Sequence, residues 1–347
     1  MPRKKRPVAI DLFAGAGGLT LGLSRAGFDV RVAVEQRTAA AQTYKLNNPS
    51  SRVFAADIRT LSAQDIEDAA GTSIDLLAAC PPCQGFTSLT SKWRRDDPRN
   101  ALVSEVARLT RGLSPRVVML ENVPRLVESS AGRASFDVLV SEFEAMGYGV
   151  SWFVADAVQF GTAQHRRRLI MYAAQELIEP PSQKHSVHAR TVRQCIGHLG
   201  EPTSFSRERI SANATLNSWH VVRNIGPLNL ARLKAAKPGR PVWELPRKLR
   251  PDCHKENTGG FRNVYGRMSW DDPSPTITGG CTSPSKGRFG HPERDTTISV
   301  KEAALLQDFP ARYRLATRYI DEACELIGNA FPARLAEVAA RQTLKLL

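Results

Sequence analysis

The sequence predicts an α/β fold, a doubly wound and mostly parallel sheet with helices on both faces, accompanied by a smaller, irregular domain. Three observations carry that prediction. Short apolar runs alternate with amphipathic stretches from residue 8 to residue 174, the pattern of a parallel sheet built from strand and crossover helix. After Glu179-Pro180-Pro181 the periodicity gives way to basic, Pro- and Gly-rich sequence. Helical spacing then returns at residues 299–307 and 334–347.

Taken in order, strands are expected at residues 8–13, 30–35, 53–58, 74–80, 117–122 and 169–173, each a short apolar run. The intervening helices have recognisable stops. Residues 19–25 end at Gly27, 39–46 at Asn48-Pro49 and 136–146 at Gly147, while 102–113 precede Pro115. The expected division is a first domain at 1–180, a second at 181–270, the end of the small domain with a hinge at 271–325, and a C-terminal segment at 326–347.

With 347 residues, 42% of them hydrophobic and 24% charged, the chain suits one large core and a smaller lobe. No run of 18 apolar residues occurs, and the start, MPRKKRP, has no apolar stretch behind its basic cluster, so neither secretion nor membrane insertion is expected. Six cysteines at 80, 83, 195, 253, 281 and 324 lack a disulfide spacing and read as reduced thiols of a cytoplasmic protein. Of the formal net charge of +14, most lies in residues 181–270, which hold 16 Lys plus Arg against 5 Asp plus Glu. Such a segment suits a polyanion, or else forms a solvated basic face.

The first strand runs into Asp11–Gly18, DLFAGAGG, where Gly15 and Gly17 permit a tight turn and close backbone approach by a ligand. The motif has neither the G-x-G-x-x-G nor the Walker spacing, which disfavours a dinucleotide or a triphosphate. Glu35 and Asp57 end the next two strands, where acids can meet ribose hydroxyls and an adenine amino group. Each alone is more often a helix cap or a surface charge. The fourth strand empties into Pro81-Pro82-Cys83-Gln84, which presents a thiol at the strand edge. Cys80 and Cys83 form a C-x-x-C, but no helix follows them as a redox pair would require, and further ligands at zinc spacing are missing. Glu121 follows the fifth strand. Gln164-His165-Arg166-Arg167-Arg168 enters the sixth, where alternation would turn Gln164, Arg166 and Arg168 to one side.

Together DLFAGAGG, Pro-Pro-Cys-Gln with Cys83, Glu121-Asn122-Val123, Gln-x-Arg-x-Arg at 164–168 and Gly328-Asn329-Ala330-Phe331-Pro332 resemble the DNA (cytosine-5)-methyltransferase family, prokaryotic restriction-modification or orphan type, over nearly the whole chain. Leu305–Pro310 and Pro273–Thr278 resemble its late motifs. In that family the basic target-recognition segment lies between Gln-x-Arg-x-Arg and Pro-Thr-Ile, which is where the charge excess falls.

The resemblance implies a Rossmann-like catalytic domain to which the C-terminal segment returns, S-adenosyl-L-methionine as cofactor, and double-stranded DNA as partner. It implies no metal, a monomer, and a possible cognate restriction endonuclease. Cys83, Glu121, Arg166 and Arg168 would be catalytic. Phe13, Gly15, Gly17, Glu35, Asp57, Ile58, Pro81, Leu102, Asn329 and Phe331 would hold the cofactor. Gln84, Lys92, Arg94, Arg95, Arg99, Arg240 and Arg250 would meet DNA. Arg168 is expected on the cytosine oxygen and Arg166 in support of the same pocket or of the thiol, with Glu121 protonated or sharing a proton with ring nitrogen 3 through a carboxyl group whose acidity burial has weakened. Two positions depart from the pattern. Gln36 replaces the residue that stacks on adenine, and Cys80 stands where relatives carry a small or apolar residue, so that its thiol reads as a core group. An amino-group methyltransferase is disfavoured by Cys83, a tRNA-acting member by the absence of Cys-Phe-Thr, and a binding module by the complete set of reactive side chains.

Overall fold

The structure, a computed structural model, describes residues 5–82, 102–182, 188–255 and 263–347. The chain begins with β1 (Val8–Leu12), α1 (Gly18–Ala26), β2 (Asp29–Val34), α2 (Thr38–Asn47), β3 (Arg52–Phe54), α3 (Ala63–Ala70), β4 (Leu76–Ala79) and α4 (Leu102–Leu113). It continues through β5 (Val117–Asn122), α5 (Arg125–Glu128), α6 (Ser130–Ala145), β6 (Gly149–Asp156) and β7 (Arg167–Ala174). The remaining elements are α7 (Val192–Ile196), β8 (Thr203–Ser204), β9 (Val221–Val222), α8 (Pro227–Ala235), α9 (Val300–Leu306), α10 (Ile320–Gly328) and α11 (Ala333–Thr343). Internal contacts define two units, Met1–Asp156 with Arg167–Lys184 and Phe331–Leu347, and Ala157–Arg166 with His185–Ala330. These limits differ from the expected breaks at 180, 270 and 325. Ten residues ahead of β7 belong to the second unit, and that unit runs on unbroken to Ala330.

The first unit is built on a seven-stranded sheet in the order β3-β2-β1-β4-β5-β7-β6, parallel except for β7, which runs antiparallel to both neighbours. All five residues of β1 are buried, as a strand covered on both faces requires. Ile10, Leu12, Leu77, Val118, Leu120 and Met171 form the centre of the core, and Phe136 and Phe143 pack there from α6. Chain order reverses direction between β1 and β4, which opens the crevice where ligands of such sheets bind.

The sequence pattern gives six strands and the sheet has seven. The additional one, β6, is an edge strand that is mostly half-buried, with Trp152 on the surface, so it lacks the apolar run by which the others are recognised. β3 is shorter than expected because Asp57 leaves the strand to cap the 3-10 turn Ile58–Thr60. Helix α3 is polar along most of its length and has no counterpart in the expected elements. A reciprocal cap between Ser62 and Asp65 starts it, and it buries only Ile66 and Ala70.

The C-terminal helix belongs to the first unit, where α11 lies against α1. Gly22 lets the two approach closely, since a β-carbon there would stand 2.4 Å from Ala336 Cβ and 2.6 Å from Ala333 O. From the other side of α11, Ala339 O accepts a hydrogen bond of 2.9 Å from the Tyr172 hydroxyl on β7. In the second unit, short helices and the two-residue β8–β9 pair surround an enclosed Trp219, which stacks on Phe205.

Because the obstacles at Gly22 are the Ala336 β-carbon and backbone atoms of α11, Gly22→Val should destabilise the protein by about 3 kcal/mol, the upper end of usual overpacking costs. Denaturant titration measures this. A loss below about 1 kcal/mol would show that α11 can move away freely.

Candidate active site at the carboxyl ends of the strands

The turn after β1 is left-handed at three places, Phe13 with φ 60°, Gly15 with φ 55° and Gly17 with φ 90°. Glu35, just past β2, fixes it. Its Oε2 accepts the Gly15 N–H at 2.8 Å and its Oε1 accepts the Arg37 N–H at 2.7 Å. Among the described residues no atom beyond its chain neighbours lies within 4 Å of where a Gly15 β-carbon would stand, so the turn offers backbone to a ligand.

Asp57 accepts hydrogen bonds from the Arg59 backbone at 3.0 Å and from its guanidinium. Those bonds hold its carboxyl well below the usual carboxylate range, at about 2. Of the other residues expected at the cofactor, Ile58 is buried, Pro81 is buried past β4, and Phe13 and Leu102 are half-buried against the core. Phe331 is buried in the first unit, whereas Asn329 is an exposed residue at the end of α10 in the second.

Beneath the turn, Asp11 is wholly buried. Its Oδ2 accepts a 2.6 Å bond from Thr20, whose hydroxyl also meets that of Tyr44 at 2.8 Å. Its Oδ1 has no hydrogen-bond partner among the described residues. Burial pushes the Asp11 pKa up to about 7, opposed by the Thr20 hydrogen bonds and aided by the charge of Glu35.

At the β4 and β5 ends, the Asn122 amide donates to Pro81 O at 3.2 Å while its Oδ1 accepts the Val123 N–H at 2.7 Å. This buried residue anchors the Pro-Pro approach to β5. Sequence reasoning misses its importance, although an amide directly after the strand-end Glu121 is the available signal. Cys83 itself lies outside the described residues, as do Gln84, Lys92, Arg94, Arg95 and Arg99.

Glu121 and Arg168 form an ion pair, Oε1 to Nε 2.6 Å, with side chains only 13% and 15% exposed. The antiparallel register explains it. Asn122 faces Leu169, so the start of β7 delivers Arg168 beside the end of β5. Both residues therefore occupy the expected edge, where Arg168 engages Glu121 through its Nε.

Arg166 corrects the expectation more sharply. β7 begins only at Arg167, so strand alternation does not align 164, 166 and 168. In the second unit the buried Arg166 guanidinium donates to Ile277 O at 2.7 Å and to Gly328 O at 3.1 Å. Gln164 works beside it. Its amide donates to Gln307 Oε1 at 3.1 Å and its Oε1 accepts the Ile277 N–H at 2.8 Å, while Gln307 donates in turn to Ile327 O. Gln164 and Arg166 thus clasp the Pro273–Thr278 segment to the end of α10. Of the two arginines expected at DNA, Arg240 is exposed and paired with Glu244 at 3.0 Å, and Arg250 donates to Leu245 O at 2.8 Å.

Asp11 gives a pH signature. Between pH about 4 and about 7 the unfolded chain has lost the proton that folded Asp11 keeps, so its contribution lowers stability as pH rises across that window, by up to roughly 4 kcal/mol. Asp11→Asn should remove this slope and be more stable than the parent at pH 8, with the advantage shrinking toward pH 4. Urea titrations across that range measure it, and parallel curves for both proteins would exclude a protonated Asp11.

Residues 8–345 match the family model of C-5 cytosine-specific DNA methylases. The Type II methylase M.HgiDII of Herpetosiphon aurantiacus is 34% identical, over 97% of this chain and 95% of its own length. The Type II methyltransferase M1.BsuMI of Bacillus subtilis is 31% identical, over 96% and 80%. In fold, the chain is similar to a prophage-encoded E. coli protein assigned as a DNA modification methyltransferase, with TM-score 0.74, 22% identity, and coverage of 98% and 99%. Taken with the family match over nearly its whole length, these relationships make the chain a member of the C-5 cytosine-specific DNA methylase family.

Proposed function

We propose that this methyltransferase flips a cytosine out of double-stranded DNA and methylates its carbon 5 with S-adenosylmethionine as donor, using Cys83 as nucleophile and Glu121 as the acid that relieves charge on the ring. The observation that carries this reading is the Glu121–Arg168 pair, which lies on the strand edge where Asn122 anchors Pro81, two residues before the thiol.

Carbon 5 of cytosine is a weak nucleophile, and addition of a thiolate to carbon 6 makes it a strong one by moving an electron pair into the ring. Negative charge then develops toward ring nitrogen 3, where a proton shared with Glu121 relieves it. Arg168 fixes the carboxylate by its 2.6 Å contact, so no reorientation is needed as the charge appears. Loss of the carbon 5 proton and expulsion of the thiolate restore the aromatic ring after methylation. Carbon 6 is out of reach in a stacked duplex, which requires flipping at a cost of a few kcal/mol.

Gly15, Gly17, Glu35, Asp57 and Ile58 would hold S-adenosylmethionine, with Phe13, Pro81, Leu102, Asn329 and Phe331 contributing, and the bound cofactor supplies an electrophilic methyl group. The space over Gly15, clear among the described residues, and the Glu35 carboxylate bonded to the Gly15 N–H support such a ligand. The names of the relatives support a restriction-modification setting, with a cognate endonuclease as functional partner. A monomer acting on cytoplasmic, nucleoid DNA fits this reading. Among the described residues no helix is long and apolar enough to cross a membrane.

A duplex carrying 5-fluorocytosine at the target tests the chemistry, because expulsion of F⁺ cannot replace loss of a proton. A denaturation-stable adduct should form only with S-adenosylmethionine present, through the peptide that contains Cys83. Cys83→Ala should abolish the adduct and lower methyl incorporation at least about a thousandfold. An active enzyme that gave no adduct, or an adduct on Cys80, would refute the mechanism.

DNA affinity should fall with salt at a slope of about 0.9 per neutralised phosphate. Reversing the exposed Arg240 and Lys248 to Glu should flatten that slope more than reversing two exposed basic residues of the first unit, such as Arg59 and Arg111. Equal effects would make the basic segment a merely solvated face.

A further inference from the structure

Arg125 is the first residue of α5 and follows the strand-end Glu121 in the short stretch Glu121-Asn122-Val123-Pro124-Arg125. Its backbone is held firmly. Arg125 O accepts the Ser129 N–H at 3.1 Å and the Ser129 hydroxyl at 2.7 Å, and a β-carbon on Gly132 would stand 2.5 Å from that same oxygen, so the start of α6 rests directly on this turn. Side chains of a helix lean toward its N-terminus, which here is the carboxyl end of β5, so the stem of Arg125 starts back toward the edge that carries Glu121.

The other charges of this stretch are already matched. From Val117 to Glu128 the charged residues are Glu121, Arg125 and Glu128. Glu121 is taken by Arg168 at 2.6 Å and Glu128 by Arg167 at 2.9 Å, both from the start of β7. Arg125 is the cation left over. Its guanidinium has no hydrogen bond or ion pair among the described residues, and its Nε is closed off from solvent as well. A donor shut away from water without an acceptor is costly, and a guanidinium never sheds its charge to relieve that cost. An acceptor brought by a ligand would relieve it.

We propose that Arg125 binds a backbone phosphate of DNA beside the flipped cytosine. The proposal rests on the role of Glu121 given above, since a base that meets Glu121 carries its own flanking phosphates to the same edge of the sheet. Phosphate oxygens suit the planar fork of a guanidinium, which can donate two parallel hydrogen bonds to them, and such a contact holds the strand in place without reading its sequence. The carboxylate of S-adenosylmethionine offers the same oxygen chemistry, and the test separates the two sources.

The test is the affinity of the full chain for a duplex containing its target site, measured with S-adenosylhomocysteine bound and over a range of salt, for the parent, Arg125→Gln and Arg125→Lys. In Arg125→Gln, Kd for DNA should rise several-fold and the slope of log affinity against log salt should flatten by about 0.9, the share of one phosphate, while Kd for S-adenosylhomocysteine stays within about twofold. Arg125→Lys keeps the charge and should keep the slope. A second series replaces, one at a time, the phosphates flanking the target cytosine with uncharged methylphosphonate. The parent should lose affinity at one of them, and Arg125→Gln should bind that duplex and the unmodified one alike. The parent's own response to methylphosphonate keeps the test decisive if Arg125→Gln folds poorly.

A salt slope equal in parent and Arg125→Gln, or a parent indifferent to every methylphosphonate, would overturn the proposal. Weakened binding of S-adenosylhomocysteine with an unchanged slope would overturn it too, because the guanidinium would then serve the cofactor carboxylate. Methyl transfer left intact in Glu121→Gln would remove the role of Glu121 and the placement of Arg125 with it, whereas an inactive Glu121→Gln beside an unchanged slope in Arg125→Gln would sink the phosphate contact alone.

Discussion

The reversed direction of β7 is the constraint on which the site depends. In a sheet of parallel strands every carboxyl end reaches the same edge, and cationic groups at strand starts collect at the opposite one. Running β7 antiparallel to β5 brings the beginning of one strand beside the end of the other, so Arg168 meets Glu121 at 2.6 Å. The pair is largely removed from solvent, and an isolated carboxylate there would be costly. Arg168 therefore both permits a carboxylate at this edge and fixes where it points. The same reversal explains why β7 accommodates β6 outside it, since both of its ladders are antiparallel.

What was legible in the sequence was the part of the site made from local backbone geometry. Gly15 and Gly17 occupy left-handed positions that glycine adopts without strain, and the Pro-Pro stretch after β4 stiffens the approach to the thiol whatever surrounds it. Phe13 was legible as a neighbour of the turn but not as a third left-handed residue, because a bulky side chain disfavours that region and only the surrounding contacts hold it there. The function of Arg166 was not legible at all from its neighbours. Its acceptors lie 111 and 162 residues further along the chain, so a motif that reads as one basic cluster divides, with Arg168 in one unit and Arg166 in the other. Asn122 shows the intermediate case: its position was visible within Glu-Asn-Val, while its bond to Pro81 crosses 41 residues and depends on β4 and β5 being neighbours.

Asp11 shows a local cost accepted next to the glycine turn after β1. A buried carboxyl group on β1, with one oxygen unpartnered among the described residues, weakens the fold at neutral pH, yet it holds Thr20 and through it Tyr44, which joins α1 and α2. An apolar residue would relieve the burial but remove the acceptor of the Thr20 hydroxyl. Rigidity of the turn and stability of the core therefore pull in opposite directions at this one residue.

A similar distinction changes how the basic segment is understood. Its charge excess counts every guanidinium alike, but several are engaged within the second unit. Arg267 is buried and donates to Leu233 O and His291 O, Arg232 donates to Leu249 O, Arg250 to Leu245 O, and Arg223 to Thr282 and Asp321. In a region with few regular elements, backbone carbonyls lack the partners that a helix or sheet provides, and long forked donors supply them. Part of the positive charge is therefore scaffolding that also raises the local potential. Other cations of the segment, such as Lys237 and Lys248, are exposed to solvent, so the net charge does not measure how much of it the surface presents.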